Sequence, residues 1–207
     1  IPHTPEDPLV ARKPSVPNVY LYLDMYAGRV FSEEESHTLQ LISTIMTETM
    51  YSRIFGTARE KGWVYGMGSG SAFMANATGW WLGAQVSKTN SQPLLRLIRD
   101  ESILLKNGTI QDEDFEAAKK HLLGKTMRSG QTASGLVNQY GKFYMNDEIE
   151  DVNKIAQKIR KIKKHDCVKL FRELTTDSSW GIGVLGATSL VPARKLQAYA
   201  AEIFTSE

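Results

Sequence analysis

The side chains that most often bind a catalytic metal are scattered along this sequence. The histidines are His3, His37, His121 and His165, and the single cysteine is Cys167. A catalytic metal site needs three protein ligands that converge on one ion, and a helix supplies two of them when two histidines lie one turn apart with a glutamate between them. No two histidines in this sequence are that close together. The pattern therefore predicts no metal site in this chain.

Two local groupings of these residues have simpler explanations. His37 follows Glu33–Glu35, but Ser32 and the last of these glutamates are three residues apart, as in a helix capping box, and acidic residues in a first turn favourably meet the helix dipole. His165 and Cys167 are two residues apart, yet they fall at a predicted helix start, and no second pair completes a four-ligand site. Both groupings predict helix starts rather than metal ligands.

The glycine-rich segment Gly66–Gly70 resembles two kinds of catalytic loop. A nucleophilic serine between glycines requires a strand-to-helix turn, and a phosphate-binding loop requires a following lysine and helix. Neither feature follows this segment, whose glycines alternate with outward-pointing side chains. We therefore predict a strand whose glycine face lets a helix or another backbone approach closely.

The elements that must position these residues follow from the spacing of apolar side chains. Strict alternation predicts strands over 18–28, 63–73, 78–87 and 179–187. Helical spacing predicts one helix that begins at Ser32 and ends near Gly56 and Gly62. It predicts four further helices at 91–107, 132–145, 151–162 and 192–204. Two more helices are predicted to begin at 109–112 and at 166. This order predicts an α+β fold, with a mostly antiparallel sheet and helices packed on one side.

Composition restricts the class of protein and its partners. With 207 residues, 42% of them hydrophobic, the chain is long enough to bury a sizeable core. The net charge of +2 does not indicate the basic surface that binds nucleic acid. No apolar run is long enough for a membrane span. Residues 1–17 hold five of the seven prolines and lack the order of a signal peptide. We predict an extended linker at 1–17 that leads out of an upstream segment, and a single domain at 18–207.

A set of short motifs links the chain to a known family. Ser-Arg-Ile-Phe occupies 52–55, Arg-Glu-Lys occupies 59–61, and Gly62 is followed by Trp-Val-Tyr at 63–65. The second half-domain of the pitrilysin/insulinase metallopeptidases reads approximately Ser-Arg-Leu-Phe, an Arg-Glu-Lys run and Gly-Leu-Ala-Tyr. A Phe-Glu-x-Ala-Lys core follows within 113–123. In order and spacing, nearly the whole chain after residue 17 resembles that half-domain.

The resemblance implies that two similar half-domains with different roles surround an enclosed chamber. One half brings an inverted His-x-x-Glu-His zinc motif. The other lacks it and supplies the opposite wall, including an arginine and a tyrosine that reach toward the bound peptide. Carried over to this sequence, these substrate-binding residues are Arg59 and Tyr65. The interval between them is one residue shorter than in the commonest form, so either a loop residue has been dropped or the arginine is displaced.

The resemblance predicts the non-catalytic, substrate-binding half of a zinc metallopeptidase that hydrolyses peptides. It implies a chain that is inactive alone and has no cofactor of its own, with zinc in a partner half in the same chain or a separate subunit. Peptide is the expected substrate, nucleic acid and membrane are not expected partners, and a cytoplasmic location is slightly favoured.

Two other interpretations remain open at this point. One is an inactive scaffold, as in the core subunits of the respiratory chain or the non-catalytic subunit of the processing peptidase. The other is a stand-alone binding module of an unrelated α+β fold. Structural roles also compete for the two site residues, since Arg59 suits a helix C-terminus and Tyr65 suits packing within a sheet.

Overall fold

One five-stranded sheet organises the chain. The computed structural model describes residues 4–74, 76–145, 152–176, 178–188 and 191–205. Within them the spatial order of the strands is β1-β5-β2-β4-β3, with β1 parallel to β5 and the other neighbours antiparallel. The strands are β1 (Leu9–Arg12), β2 (Val19–Ala27), β3 (Val64–Phe73), β4 (Thr78–Val86) and β5 (Ser178–Gly186).

Eight α-helices accompany the sheet in the described residues. They are α1 (Glu33–Ser43), α2 (Arg53–Glu60), α3 (Ser91–Lys106), α4 (Asp112–Ser129), α5 (Ala133–Met145), α6 (Val152–Lys161), α7 (Lys164–Thr176) and α8 (Ala193–Phe204). A π-helical turn, Thr44–Glu48, extends α1, and a short 3-10 turn, Lys88–Asn90, precedes α3. The predicted start of α6 at Asp151 lies outside the described residues. None of the helices described is both long and apolar enough to cross a membrane.

The core lies between the helices and one face of the sheet. Alternate residues of β2 are buried, as the period of a half-covered strand requires. They pack with side chains of β4, β5 and the helices into one cluster, which includes Leu23, Trp80, Ile182, Ile42 and Phe171. Burying one large apolar side chain contributes roughly 1.5–3 kcal/mol. The predicted α+β fold, a mostly antiparallel sheet with helices on one side, is confirmed.

The single helix predicted to run from Ser32 beyond position 55 is wrong, because the chain breaks between α1 and α2. Thr49 is extended, with φ −124° and ψ 165°. The hydroxyl of Ser52 donates to the backbone oxygen of Thr44 at 2.6 Å and accepts from the backbone nitrogen of Thr49 at 2.8 Å. Hydroxyl groups that bond to the backbone in this way compete with the helix. Apolar spacing continues across the break because Ile54 is also buried.

The predicted linker, in contrast, contributes a strand. β1 pairs with β5 in parallel, and the pairing continues through bonds from the Lys13 nitrogen to the Gly186 oxygen and from the Ala187 nitrogen to the Val16 oxygen. All four residues of β1 are exposed, so no alternation marks the strand in the sequence. Prolines on both sides of β1, Pro8 and Pro14, are compatible with an edge strand.

Candidate functional site

The turn from α2 into β3 brings Arg59 and Tyr65 together. Arg59 lies in the last turn of α2. Gly62 then adopts φ +66°, a left-handed conformation that favours glycine, and the backbone nitrogen of Trp63 reaches back to the oxygen of Ala58 at 2.9 Å. This bond pattern is typical of a helix that ends in a Schellman motif. The chain therefore reverses tightly, and β3 begins beside the last turn of the helix.

Tyr65 sits in a β-bulge at the start of β3. Val64 pairs with Val86 and Gly66 pairs with Gln85, so Tyr65 has no partner on β4. A bulge locally disrupts the ladder and redirects the side chain of the extra residue. The Tyr65 side chain is 66% exposed. The strict alternation predicted over 63–73 is therefore wrong at this residue, and packing within the sheet does not describe it.

The side chain of Arg59 lies against this bulge. Its Nη1 atom donates to the backbone oxygen of Val64 at 3.1 Å and to that of Tyr65 at 3.4 Å. The sequence-predicted pair is thus joined through the guanidinium of one residue and the backbone of the other. The shorter interval in the sequence coincides with a bulge that moves Tyr65 off the regular register. The part that either residue plays in binding a peptide stays a prediction.

β3 is the last strand of the sheet on this side, so its outer edge has no neighbouring strand among the described residues. A groove of about 280 Å³ runs between this strand and the helices, and its lining includes Gln40, Glu48, Met67, Ser69 and Lys125. The Ser69 hydroxyl is 2.7 Å from that of Thr47. The site is therefore a strand edge with small side chains, a groove on the helix side and an exposed tyrosine at its beginning.

Glu48 is the negative group of this groove. Its carboxylate accepts a hydrogen bond from Lys125 Nζ at 2.5 Å and another from the Thr44 hydroxyl at 2.6 Å, and His121 lies 3.8 Å away. Burial acts to raise the pKa of Glu48, but the bonds from Lys125 and Thr44 outweigh it and hold the pKa below its usual value. The group is charged at neutral pH and already paired. Sequence reasoning missed it because its partner is 77 residues away.

The prediction that a helix or another backbone approaches the glycine face of β3 is wrong, because a side chain lies there. A Cβ atom on Gly70 would lie 3.0 Å from Nε1 of Trp81. The indole ring therefore lies across this part of β3, and the expected helix or backbone is not what approaches.

The described residues do not fit a zinc site. No group of three or more His, Cys, Asp or Glu side chains in the described ranges is arranged to hold a metal. His37 lies 3.8 Å from Glu33, whereas His165 is exposed on α7. Burial raises the pKa of Cys167 to about 12, so its sulfur is not a ready thiolate ligand. His3 lies outside the described residues.

Comparison with known proteins connects this geometry to a family. A family model described as the peptidase M16 inactive domain matches residues 1–122. No match is found among curated proteins. Among solved structures, the chain is similar to a protease from Helicobacter pylori, with 14% identity, a TM-score of 0.72, and coverage of 87% of this chain and 44% of the other.

Two further structures share the fold. A chain of complex III from Candida albicans has 12% identity and a TM-score of 0.78, covering 92% of this chain and 48% of the other. A peptidase M16 inactive domain from Pseudomonas fluorescens has 19% identity and a TM-score of 0.69, covering 89% and 45%. The chain spans less than half the length of each of these structures. Because the family match covers more than half of the sequence, the chain belongs to the peptidase M16 inactive-domain family and is a non-catalytic half-domain of that type.

Proposed function

We propose that this chain is the substrate-binding wall of a two-part zinc metallopeptidase, opposite a half-domain that carries the metal. The observation that carries the proposal is the exposed Tyr65, which stands in a bulge at the start of β3, whose outer edge pairs with no other strand in the described part of the chain. Family membership supports a non-catalytic half. The partner half, in the same chain or as a separate subunit, supplies zinc and hydrolysis, and this chain alone is inactive toward peptides.

The edge of β3 suits an extended peptide. A peptide that adds to a sheet edge gains main-chain hydrogen bonds, and its alternate side chains then enter neighbouring pockets. Gly66, Gly68 and Gly70 place no side chain on one face of β3, while the groove beside Met67 and Ser69 lies on the other. Because backbone bonding is independent of sequence, this arrangement favours peptides of varied composition.

Tyr65 and Arg59 then act on the same stretch of peptide. The Tyr65 hydroxyl is a donor and acceptor on an exposed ring, so it orients a peptide carbonyl near the chamber. Arg59 uses one nitrogen for the bulge carbonyls, and the guanidinium carries further N–H donors that can bind a second carbonyl. In this proposal Arg59 has a positioning role toward Tyr65 in addition to its own contact with substrate.

Removal of the Tyr65 hydroxyl in the assembled two-half peptidase tests the proposal. We expect Tyr65→Phe to lower kcat/KM for an unfolded peptide by about 100-fold, the scale on which a single positioned donor acts in catalysis. Zinc content and assembly of the halves should stay unchanged. Tyr51→Phe is the matched control, because Tyr51 is 91% exposed and lies outside the site.

A scaffold role is the second candidate, and the fold likeness to a chain of complex III favours it. The same experiment separates the two functions. Unchanged turnover in Tyr65→Phe and Tyr65→Ala, with normal zinc content, would contradict the substrate-binding proposal and support a structural role. Chelator-sensitive peptide cleavage by this chain alone would contradict both functions.

A further inference from the structure

The face of the sheet that points away from the helices carries an aromatic layer. Tyr22 and Tyr26 project from β2 on this face, and Trp81 projects from β4 between them. The layer is flat because the rings lie over glycines: a Cβ on Gly83 would be 2.6 Å from the Tyr22 ring, and one on Gly79 would be 2.8 Å from the Tyr26 ring. The Tyr22 and Trp81 rings are 6.2 Å apart at 46°. Exposure of Tyr22 is 44%, so the layer is open to a partner.

Asp24 is the charged residue within this layer. It lies between Tyr22 and Tyr26 along β2, and its cross-strand neighbours are Trp81 on β4 and Gly181 on β5. It is half-buried and has no hydrogen-bond or ion-pair partner among the residues that the structure describes. Burial raises the pKa of its carboxyl group. A partly desolvated carboxylate without a partner is unfavourable, and a bound cation relieves that cost.

We propose that Asp24 and the aromatic layer of Tyr22, Tyr26 and Trp81 form a docking site for an arginine side chain presented by the second half-domain. A guanidinium pairs with a carboxylate through two parallel hydrogen bonds, and its planar face stacks on aromatic rings. Gly181 has no side chain of its own, but the Pro5 ring covers it, since a Cβ there would lie 3.5 Å from Pro5. Asp24 itself is only partly buried, and a group from outside can reach its exposed part. The identity of the partner rests on the proposed function, whereas the chemistry of the bound group does not.

Charge also argues against a second copy of this chain as the occupant. A two-fold contact between two such faces brings the same patch of each copy together, so both Asp24 carboxylates would lie in one interface without a cation. Like charges in a partly dry interface repel strongly. A cationic group from a different surface meets no such opposition.

The first test measures whether the site binds an arginine side chain that is not attached to a protein. The 207-residue chain is titrated with N-acetyl-argininamide and with the neutral isostere N-acetyl-citrullinamide while NMR follows the Trp81 indole N–H signal, assigned through Trp81→Phe. We expect the arginine compound to bind with a dissociation constant in the millimolar range, and at least about tenfold more tightly than the citrulline compound. Asp24→Asn should abolish that preference, while Glu116→Gln, which removes an exposed carboxylate on α4, should leave it intact.

Equal affinity for the two compounds, no shift at Trp81, or an unchanged preference in a folded Asp24→Asn chain would each overturn the proposal. Circular dichroism establishes that the variant is folded.

The second test repeats the titration on the assembled protein, in which the site is filled and the Trp81 shift should be lost. A persisting shift there would overturn the docking role, and a dimer of the isolated chain that Asp24→Asn strengthens would identify a second copy as the occupant instead. Neither result depends on turnover by Tyr65 variants, so failure here is distinguishable from failure of the proposed function.

Discussion

A hydrogen bond of 3.1 Å joins the Nη1 atom of Arg59 to the backbone oxygen of Val64. It spans the turn between the end of α2 and the beginning of β3, and it meets the strand at the residue before the bulge. The same Nη1 atom also donates to the backbone oxygen of Tyr65 at 3.4 Å, so the guanidinium reaches the residue that has no partner on β4. The conformation that exposes Tyr65 is thus held by the residue that the family resemblance pairs with it.

The first prediction concerns this bond. Arg59→Ala should lower the free energy of unfolding of the isolated chain by about 1 kcal/mol, the usual contribution of one hydrogen bond. Urea denaturation measures the change. Arg160→Ala, which removes an exposed arginine of α6 that lies outside the turn, should have a smaller effect. If both variants unfold at the wild-type urea concentration, Arg59 does not hold the bulge.

In the assembled peptidase, the same substitution should act on turnover through Tyr65. We expect the loss of kcat/KM in Arg59→Ala combined with Tyr65→Phe to be smaller than the sum of the two single losses in free energy, because residues that act as a unit are not additive. A double-mutant cycle measures the coupling. Strict additivity would show that the two side chains act separately.

The second prediction concerns the capping box at the start of α1. Glu35 bonds to the backbone nitrogen of Ser32 at 2.8 Å and to Arg29, which also binds Glu173. Hydrogen bonding from Arg29 lowers the pKa of Glu35 from its ordinary value of 4.5 to about 2. Because the folded-state pKa lies below the unfolded one, the stabilisation is complete above pH 4.5 and is lost as the pH falls toward 2.

Glu35→Gln should therefore destabilise the chain at pH 7 and approach wild-type stability near pH 2, as measured by urea titrations across this range. Ser32→Ala is the matched comparison, because it removes the neutral half of the same box. It should cost about 1 kcal/mol with little dependence on pH. A Glu35→Gln penalty that stays constant down to pH 2 would contradict the assignment of its pKa to Arg29.

The third prediction concerns the break between α1 and α2. A Cβ atom on Gly56 would lie 2.5 Å from the backbone oxygen of Met50, and backbone atoms move only at a cost. Gly56→Ala should destabilise the chain by about 1–3 kcal/mol, as overpacking commonly does. Gly141→Ala on α5, where a Cβ meets nothing within 4 Å, should be neutral or stabilising. Equal thermal midpoints for both variants would contradict the close approach.

Local patterns in the sequence account for most of the fold. Alternation located β2 and capping chemistry located α1, since both depend on neighbours within a few residues. β1 escaped detection because backbone pairing with a strand more than 170 residues away holds it in place, and its exposed side chains show no alternation. The two-helix arrangement around Ser52 was missed because hydroxyl bonds to Thr44 and Thr49, and not apolar spacing, end α1.

Sequence reasoning named two candidate site residues but not their geometry. Family resemblance selected Arg59 and Tyr65, whose roles stay predictions, but a bulge depends on how two strands register and has no short-range signal here. The pair of Glu48 and Lys125 and the setting of Asp24 likewise arise from contacts between distant segments. Charged residues in partly buried positions are where sequence periodicity carries least information.

The last prediction follows from the burial of Asp24 among aromatic rings. The residues around it are Tyr22 and Tyr26 on β2, Trp81 on β4, and Gly181 on β5 with the Pro5 ring over it, none of them a cation. Burial raises the pKa of Asp24 above its ordinary value of 3.8, so the folded chain holds this proton to a higher pH than the unfolded chain does. Between those two pKa values the stability therefore falls as the pH rises, and the cost persists at neutral pH.

Asp24→Asn removes the ionisable group while it keeps the size of the side chain. The isolated variant should therefore unfold at a higher urea concentration than the wild type at pH 7, and the difference should vanish below pH 3.8. In the assembled protein the order should reverse, because an arginine that has lost its carboxylate partner remains in the interface. A variant that is less stable than the wild type in isolation at pH 7 would show that Asp24 already has a stabilising partner within the chain.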